Sequence, residues 1–301
     1  MLPGNSFPPT ETVCSTMLAI CLACSAAQAA ADPAAIVTGL QAPAWRTHAG
    51  VRDALVAGQT LDAGDRLSTG PDARVVLHLG EGSTVKLGAG AEFEIAKLQP
   101  PPAPEGVFEA ALDVLKGAFR FTTAAAAKVQ RRAVTAHVGT ATIGIRGTDV
   151  WGKTEPGRDF VVLIEGKIDI ERAGEHVAMA DPKTLFMAPT GAAAQPVAPV
   201  DSGDLARWAA ETEPAPGAGV QESAGSWRVN LLSTRDGAGA ARWAARLRDA
   251  GYAALKGSKE IKNVEWHRVY VEGFASRADA EAFASRAAHE FELPTAWIGT
   301  R

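Results

Sequence analysis

The sequence predicts a mainly β protein with a smaller α+β unit at its C-terminal end. Three observations carry that expectation. Residues 36–190 alternate apolar and polar side chains in short runs separated by Gly and other turn residues, and no long stretch there repeats at helical spacing. Beyond a Pro/Gly-rich break, two helical patterns are interleaved with strand-like runs. A length of 301 residues corresponds to about two domains.

The chain opens with the short apolar stretch STMLAICLACSAAQA. It ends in Ala27-Gln28-Ala29 and fits the small-x-small rule for signal-peptide cleavage. Residues 1–29 therefore read as a signal peptide cut after Ala29, atypical in having no Lys or Arg before Arg46. Cys14, Cys21 and Cys24 all precede that cut, so the exported chain would hold no disulfide, thiolate metal site or Cys nucleophile. A lipid anchor at Cys24 is the minority reading. The composition, 47% hydrophobic and 21% charged, is that of an ordinary globular protein. A net charge of -4 is too small to suggest wholesale nucleic-acid binding, and no apolar run reaches the roughly 18–20 residues of a membrane span.

In RVVLHLGEGSTVKLGAGAEFEIAKL, Val75, Leu77 and Leu79 alternate, followed by Val85 and Leu87, then Phe93 and Ile95. QPPPAPEG, residues 99–106, is a loop that neither strand nor helix can use. TTAAAAK reads as a loop or a short helical turn. In VVLIEGKIDI, Val162 and Ile164 face Ile168 and Ile170 across a Glu-Gly turn, as in a hairpin. The architecture of this all-β region stays open between a roll, a solenoid and a sandwich. Asp201 to Glu213 reads as a short helix capped by Ser202 or Asp204, with Leu205, Trp208 and Ala209 on one face. The Pro/Gly-rich PAPGAGVQESAGS completes a connecting segment, residues 191–224.

Residues 225–301 form the second module. WRVNLLS is a strand. GAGAARWAARLRDAGY is a helix with Ala240, Trp243, Ala244 and Leu247 on one stripe and Gly251 as its left-handed cap. A strand near Ala253 and the strand VEWHRVYVEGF follow. SRADAEAFASRAAHEF is a helix in which Ser276 and Asp279 make a variant capping box, and PTAWIGT closes with a strand. The order β-α-β-β-α-β is the ferredoxin-like pattern, with the first and third strands side by side and both helices on one face. Val269 and Val271 then pack under the helices with Val229 and Leu231. Trp266, Arg268 and Tyr270 line the bare face, beside Arg228 and Asn230. Such a set suits a sugar chain. Aromatic rings stack on pyranose C–H faces, an amide meets hydroxyl and acetamide groups, and a guanidinium forks onto a carboxylate.

This tail resembles the SPOR family, sporulation-related repeat domains that bind peptidoglycan. WRVNLLS is similar to its aromatic-x-Val-Gln strand, LRDAGY to its Leu-x-x-x-Gly-Tyr, and WHRVYVEGFASRADAEA to its second aromatic strand and following helix. Asn230 stands where the family has Gln, and Glu272-Gly273 where it has Gly-Pro. The resemblance implies binding of glycan strands stripped of stem peptides, whose muramic acid exposes a lactyl carboxylate. It also implies a role for Ser233, which parity in a regular strand would place on the helix side, so a bulge or turn must re-aim it. The first region, about Pro43 to Pro189, resembles the FecR domain family. The similar runs are GDRLSTGPDARVVLHLGEGSTVKLGAGAEFEI, HVGTATIGIRGTDVWGK and VVLIEGKIDI. That resemblance implies an all-β periplasmic module, often a sensor or scaffold, without catalysis.

Blander readings compete. The aromatic face could pack on the β module. His48, His78, His137, His176, His267 and His289 show no metal-ligand spacing. GIRGT, residues 144–148, has no following helix and reads as a strand corner in which Arg146 is buried in a pair, not as a phosphate loop. Glu92 and Glu94 read as solvated carboxylates and not as a glycosidase pair. No Ser-His-Asp order stands out, and the run typical of RNA-binding domains of similar plan is missing. The expectation is an exported, periplasmic, non-catalytic protein with no cofactor, metal or nucleic-acid partner. It binds peptidoglycan glycan, with an envelope protein or wall component as partner of the FecR-like region. The alternative is a FecR-type signalling regulator localised by the tail.

Overall fold

The computed structural model describes residue 1 and residues 33–99, 107–124, 131–293 and 296–301. The leader with its cysteines and cleavage site, and most of QPPPAPEG and TTAAAAK, lie outside the described residues. In chain order come β1 (Ala35–Gln41), β2 (Ala44–His48), β3 (Val51–Ala54), β4 (Arg66–Thr69), β5 (Arg74–Leu79), β6 (Thr84–Leu87) and β7 (Glu92–Leu98). The long β8 (Phe108–Thr122) precedes β9 (Arg132–Val138), β10 (Ala141–Ile145), β11 (Asp149–Glu155) and β12 (Arg158–Glu165). Next are β13 (Ile168–Arg172), β14 (Glu175–Met179), β15 (Thr184–Pro189) and β16 (Ala198–Pro199). Helix α1 (Ser202–Thr212) and β17 (Val220–Glu222) lead into the C-terminal module. That module runs β18 (Trp227–Thr234), α2 (Gly237–Asp249), β19 (Leu255–Ile261), β20 (Val264–Phe274), α3 (Arg277–Phe291) and β21 (Trp297–Thr300).

The N-terminal region is all β and is built from two sheets that share β8. One sheet has the spatial order β3-β2-β4-β7-β8-β9-β10-β13-β14. The other runs β16-β15-β12-β11-β8-β6-β5-β1-β17. Their apolar faces merge into one core, with Phe93, Phe108, Leu112 and Ile143 from the first sheet and Leu77, Phe121, Val161 and Phe186 from the second. Of the three architectures left open, this is a sandwich whose layers are joined through one strand. The crossing is written in β8. Phe108, Ala110, Leu112 and Val114 are buried, then the parity reverses and Phe119 and Phe121 are buried. Gly117 makes the change at φ +80, against Ala91, where a Cβ would lie 2.7 Å from the Ala91 Cα.

Two expectations fail here. VVLIEGKIDI is not a hairpin, because β12 pairs with β11 and β15 while β13 pairs with β10 and β14 in the other sheet. The chain changes layer at Gly166, where φ is +89 and the space of a Cβ is taken by the Gly147 carbonyl and Thr148. Arg146 is exposed and not in a buried pair. It follows β10, whose Ile143 and Ile145 face the core, so parity turns it outward. The buried guanidiniums are elsewhere. Arg132 bonds Thr123 and faces Glu81, and Arg172 bonds Thr140 and the carbonyls of Pro189 and Ala192.

Helix α1 is capped by Asp201, not by Ser202 or Asp204. Asp201 Oδ1 accepts from the N–H groups of Gly203 (2.7 Å) and Asp204 (3.0 Å). Leu205 and Trp208 dock on Trp151, Val162 and Ala118, with the two indoles stacked at 5.5 Å. From there the chain threads between the modules. Gln221 of β17 pairs with Leu40 of β1 on one side and with Phe274 of β20 on the other. Asp279, buried at the start of α3, fixes this strap. Its Oδ1 accepts from the N–H groups of Gly217 (2.8 Å), Gly219 (3.1 Å) and Val220 (2.9 Å). Ser276 caps α3 and donates its hydroxyl to the other Asp279 oxygen at 2.5 Å. Trp45 Nε1 donates to the Asp249 carbonyl (3.0 Å), and the Ala44 N–H to that of Gly251 (3.1 Å). Both modules belong to one compact unit.

The C-terminal sheet has the order β19-β20-β18-β21, all antiparallel, with β18 and β20 central as expected. Ala240, Ala244 and Leu247 of α2 and Ala280, Phe283 and Ala287 of α3 are buried over Val229, Leu231, Val269 and Val271. Gly251 (φ +84) ends α2, with Gly251 N–H on the Arg248 carbonyl and Tyr252 N–H on that of Leu247, a Schellman cap. Tyr252 packs against Phe283 and Phe291 and donates to Glu290, and burial followed by that bond pushes its phenol pKa well up.

Two outcomes follow. Asp279→Ala strands the buried N–H donors of Gly219 and Val220 and frees that of Gly217, and should cost on the order of 3 kcal/mol in urea unfolding, with Gly217–Val220 amides losing exchange protection. The Asp201 carboxyl is held below its usual range by the N–H groups of Asp204 and then Gly203. A depressed folded value means this stabilisation is present above the unfolded value, about 3.9, and is lost as pH falls through the folded one. The stability gap between wild type and Asp201→Ala should therefore close progressively as pH falls below about 4.

Candidate functional site

Both helices lie on one side of the C-terminal sheet, so its other face is the place to look for a site. Residues directly opposite in antiparallel strands share a face. Arg228 opposes Glu272, and Asn230 opposes Tyr270. The register then shifts between Asn230 and Leu232, and past this bulge Ser233 opposes Arg268. The bulged residue is Leu231, whose side chain stays in the core. One extra residue thus brings Ser233 onto the helix-free face. The alternate positions Trp266, Arg268, Tyr270 and Glu272 complete the central row, and the opposite parity buries Val269 and Val271.

The two arginines differ in their surroundings. The Arg228 guanidinium is clamped by Glu272 at 2.9 Å and stacks over Tyr270 at 4.5 Å. Glu272 also receives Arg301 at 2.9 Å. Arg268 has no carboxylate partner among the described residues; its Nε makes no hydrogen bond and its guanidinium lies 5.7 Å over the ring of Trp297. Asn230 is 5% exposed, more deeply set than expected, and its Oδ1 is unpartnered. Trp266 is half-buried, with Arg235 over its ring at 5.1 Å. His267 lies on the helix side, against Gly237 of α2.

Several residues of this face escaped the sequence reading, among them Trp297, Lys259 and Arg235. Trp297, 40% exposed, sits opposite Asn230 on the edge strand β21, and parity within PTAWIGT could have found it. Lys259 stands opposite Trp266 on β19, a strand with weak alternation. Arg235 lies in the turn after β18, where no periodic signal exists. The face therefore has a cationic aromatic end, with Arg235, Lys259, Arg268, Trp266 and Trp297. At its other end Glu272 pairs with both Arg228 and Arg301 and offsets one of their two charges. Among the described residues no group of three or more His, Cys, Asp and Glu could hold a metal, and Glu92 is exposed while Glu94 pairs with Arg66 at 2.6 Å.

Residues 223–295 match the family model of the SPOR domain, and residues 65–169 match that of the FecR protein. The chain thus carries a FecR domain fused to a C-terminal SPOR domain. Both are non-catalytic, and both are typical of the cell envelope; SPOR domains generally interact with peptidoglycan. No curated protein matches the chain. Two crystal structures of a candidate anti-sigma factor from Parabacteroides distasonis ATCC 8503, at 1.65 and 2.50 Å resolution, are similar at 13% identity. They align over 75% of this chain and 92% and 91% of theirs, each with a TM-score of 0.39. No helix among the described residues is long and apolar enough to cross a membrane.

The ion-pair arrangement gives an expected outcome. Glu272→Gln leaves Arg228 and Arg301 uncompensated and makes the face more cationic. The variant should elute from a sulfated polysaccharide matrix at higher salt than wild type, with less than about 1 kcal/mol lost in stability because the pairs are partly exposed.

Proposed function

We propose that this FecR–SPOR fusion binds peptidoglycan glycan strands stripped of stem peptides, through the helix-free face of its C-terminal sheet. The observation that carries the reading is Arg268. It is a half-buried arginine with no carboxylate partner among the described residues; its guanidinium lies over the ring of Trp297 and Ser233 opposes it on β18. A guanidinium held in this way matches a carboxylate in a bidentate fork. The lactyl carboxylate of muramic acid is uncovered when an amidase removes the peptide, and Arg268 reads it. Trp266 and Tyr270 stack on the C–H faces of neighbouring sugars. Asn230 and Ser233 meet hydroxyl and acetamide groups. Arg228, neutralised by Glu272, shapes the platform under Tyr270 more than it attracts charge.

In this reading the protein works in the periplasm, where denuded glycan accumulates at division sites. The FecR domain holds an envelope protein or another wall component there.

The test is retention on sacculi before and after amidase treatment. Wild type should bind amidase-treated wall more strongly. Arg268→Ala should lose about ten- to hundredfold in affinity, the loss of one charge-assisted hydrogen-bonded pair. Trp266→Ala should also lose retention, and Arg228→Ala should lose much less. Equal retention by wild type, Trp266→Ala and Arg268→Ala would reject the site. A clearing band in a sacculus zymogram would reject the non-catalytic reading.

A further inference from the structure

The helix-free face does not end in open solvent at the Glu272 side. There it meets the N-terminal β region, and the junction is a cleft of about 300 Å³. Leu255 and Glu272 belong to both. Leu255 opposes Tyr270 on the sheet face, Glu272 lies two residues beyond Tyr270 on the same face, and both line the cleft. The far wall comes from the N-terminal β region, with Ala54, Val56 and Ala57 at and just after the end of β3. Val56 is 47% exposed and Leu255 42%, so large apolar side chains face water on both sides. Arg248, Arg301 and Asp53 supply a polar rim.

We infer that this cleft is a second saccharide subsite, shared by the two domains, into which the glycan strand bound on the sheet face continues. The inference rests on the glycan reading of that face. Small apolar walls with a polar rim fit a pyranose, which has C–H faces and hydroxyl edges, and the volume lies at the lower end for a small-ligand site, enough for a sugar ring. A buried polar atom points the same way. Gln221 lines the cleft and is 3% exposed; its Nε2 donates to the Glu272 carbonyl while its Oε1 has no hydrogen-bond partner. Buried amide oxygens are ordinarily satisfied, and a hydroxyl donor is what this one lacks. The cleft is also preformed. The strap on Asp279, the pairing of β17 with both β1 and β20, and the Trp45 bond to the Asp249 carbonyl hold its walls together, so occupying it costs little ordering.

The subsite makes affinity depend on glycan length. The experiment uses the full chain and purified denuded glycan oligomers of graded length, with binding measured calorimetrically. Two variants address the cleft at exposed positions outside the sheet face, Val56→Trp to fill it and Arg248→Glu to reverse a rim charge. Both should bind the shortest oligomers as wild type does and the longer ones about three- to tenfold more weakly, the range of one or two lost polar contacts. Arg268→Ala, measured beside them, should weaken every length. If Arg268→Ala weakens binding while both cleft variants match wild type at all lengths, the cleft inference is wrong and the sheet-face reading survives. If Arg268→Ala changes nothing, the sheet-face reading fails and the inference falls with it. Should either cleft variant unfold, as circular dichroism would show, the other still decides.

Discussion

The buried carboxylate of Asp279 governs how the two domains meet. One of its oxygens gathers three N–H groups from the strap, and the other takes the Ser276 hydroxyl that caps the same helix. A longer Glu at this capping-box position would reach back to the cap residue's own N–H. The shorter Asp points into the strap instead. With the strap fixed, β17 can pair with β1 and β20 together, and the sheet of one domain continues into the sheet of the other. The orientation of the helix-free face relative to the FecR domain, and the cleft between them, follow from that continuity.

The features that were legible in the sequence are those set by period. Val269 and Val271 against Trp266, Arg268 and Tyr270, the α2 stripe of Ala240, Ala244 and Leu247, and the left-handed Gly251 all follow from local spacing. What escaped depends on events that spacing does not record. Alternation in β12 and β13 looks the same whether the Glu-Gly turn closes a hairpin or passes the chain to another layer. The choice is made by Gly147 and Thr148, which fill the space beside Gly166. Parity required a bulge to bring Ser233 round, but only the pairing of β18 with β20 locates it at Leu231. Asp201 was passed over as a cap because Ser202 and Asp204 are equally good cap residues, and the backbone conformation at 201 decides among them. The depth of Asn230 comes from its neighbours Tyr270 and Trp297, which lie on two other strands.

Charge on the face is uneven because of one residue. Glu272 draws in both Arg228 and Arg301. Positive charge without a carboxylate is left near Arg268, with Arg235 and Lys259 flanking the Trp266 row. Partly exposed ion pairs contribute little to stability. Their effect here is to offset part of the positive charge at one end of the platform, while the charge around Arg268 has no carboxylate partner among the described residues.

The continuity of the sheets through β17 has a mechanical consequence. A pull on the C-terminal domain is delivered to the β1 side of the sandwich through a three-residue strand, the Asp279 clamp and the Trp45 contact. No slack tether intervenes between the last strand pair of one domain and the first of the other. Tension applied to the C-terminal module would therefore load these backbone bonds directly, before any loop between the two sheets could extend.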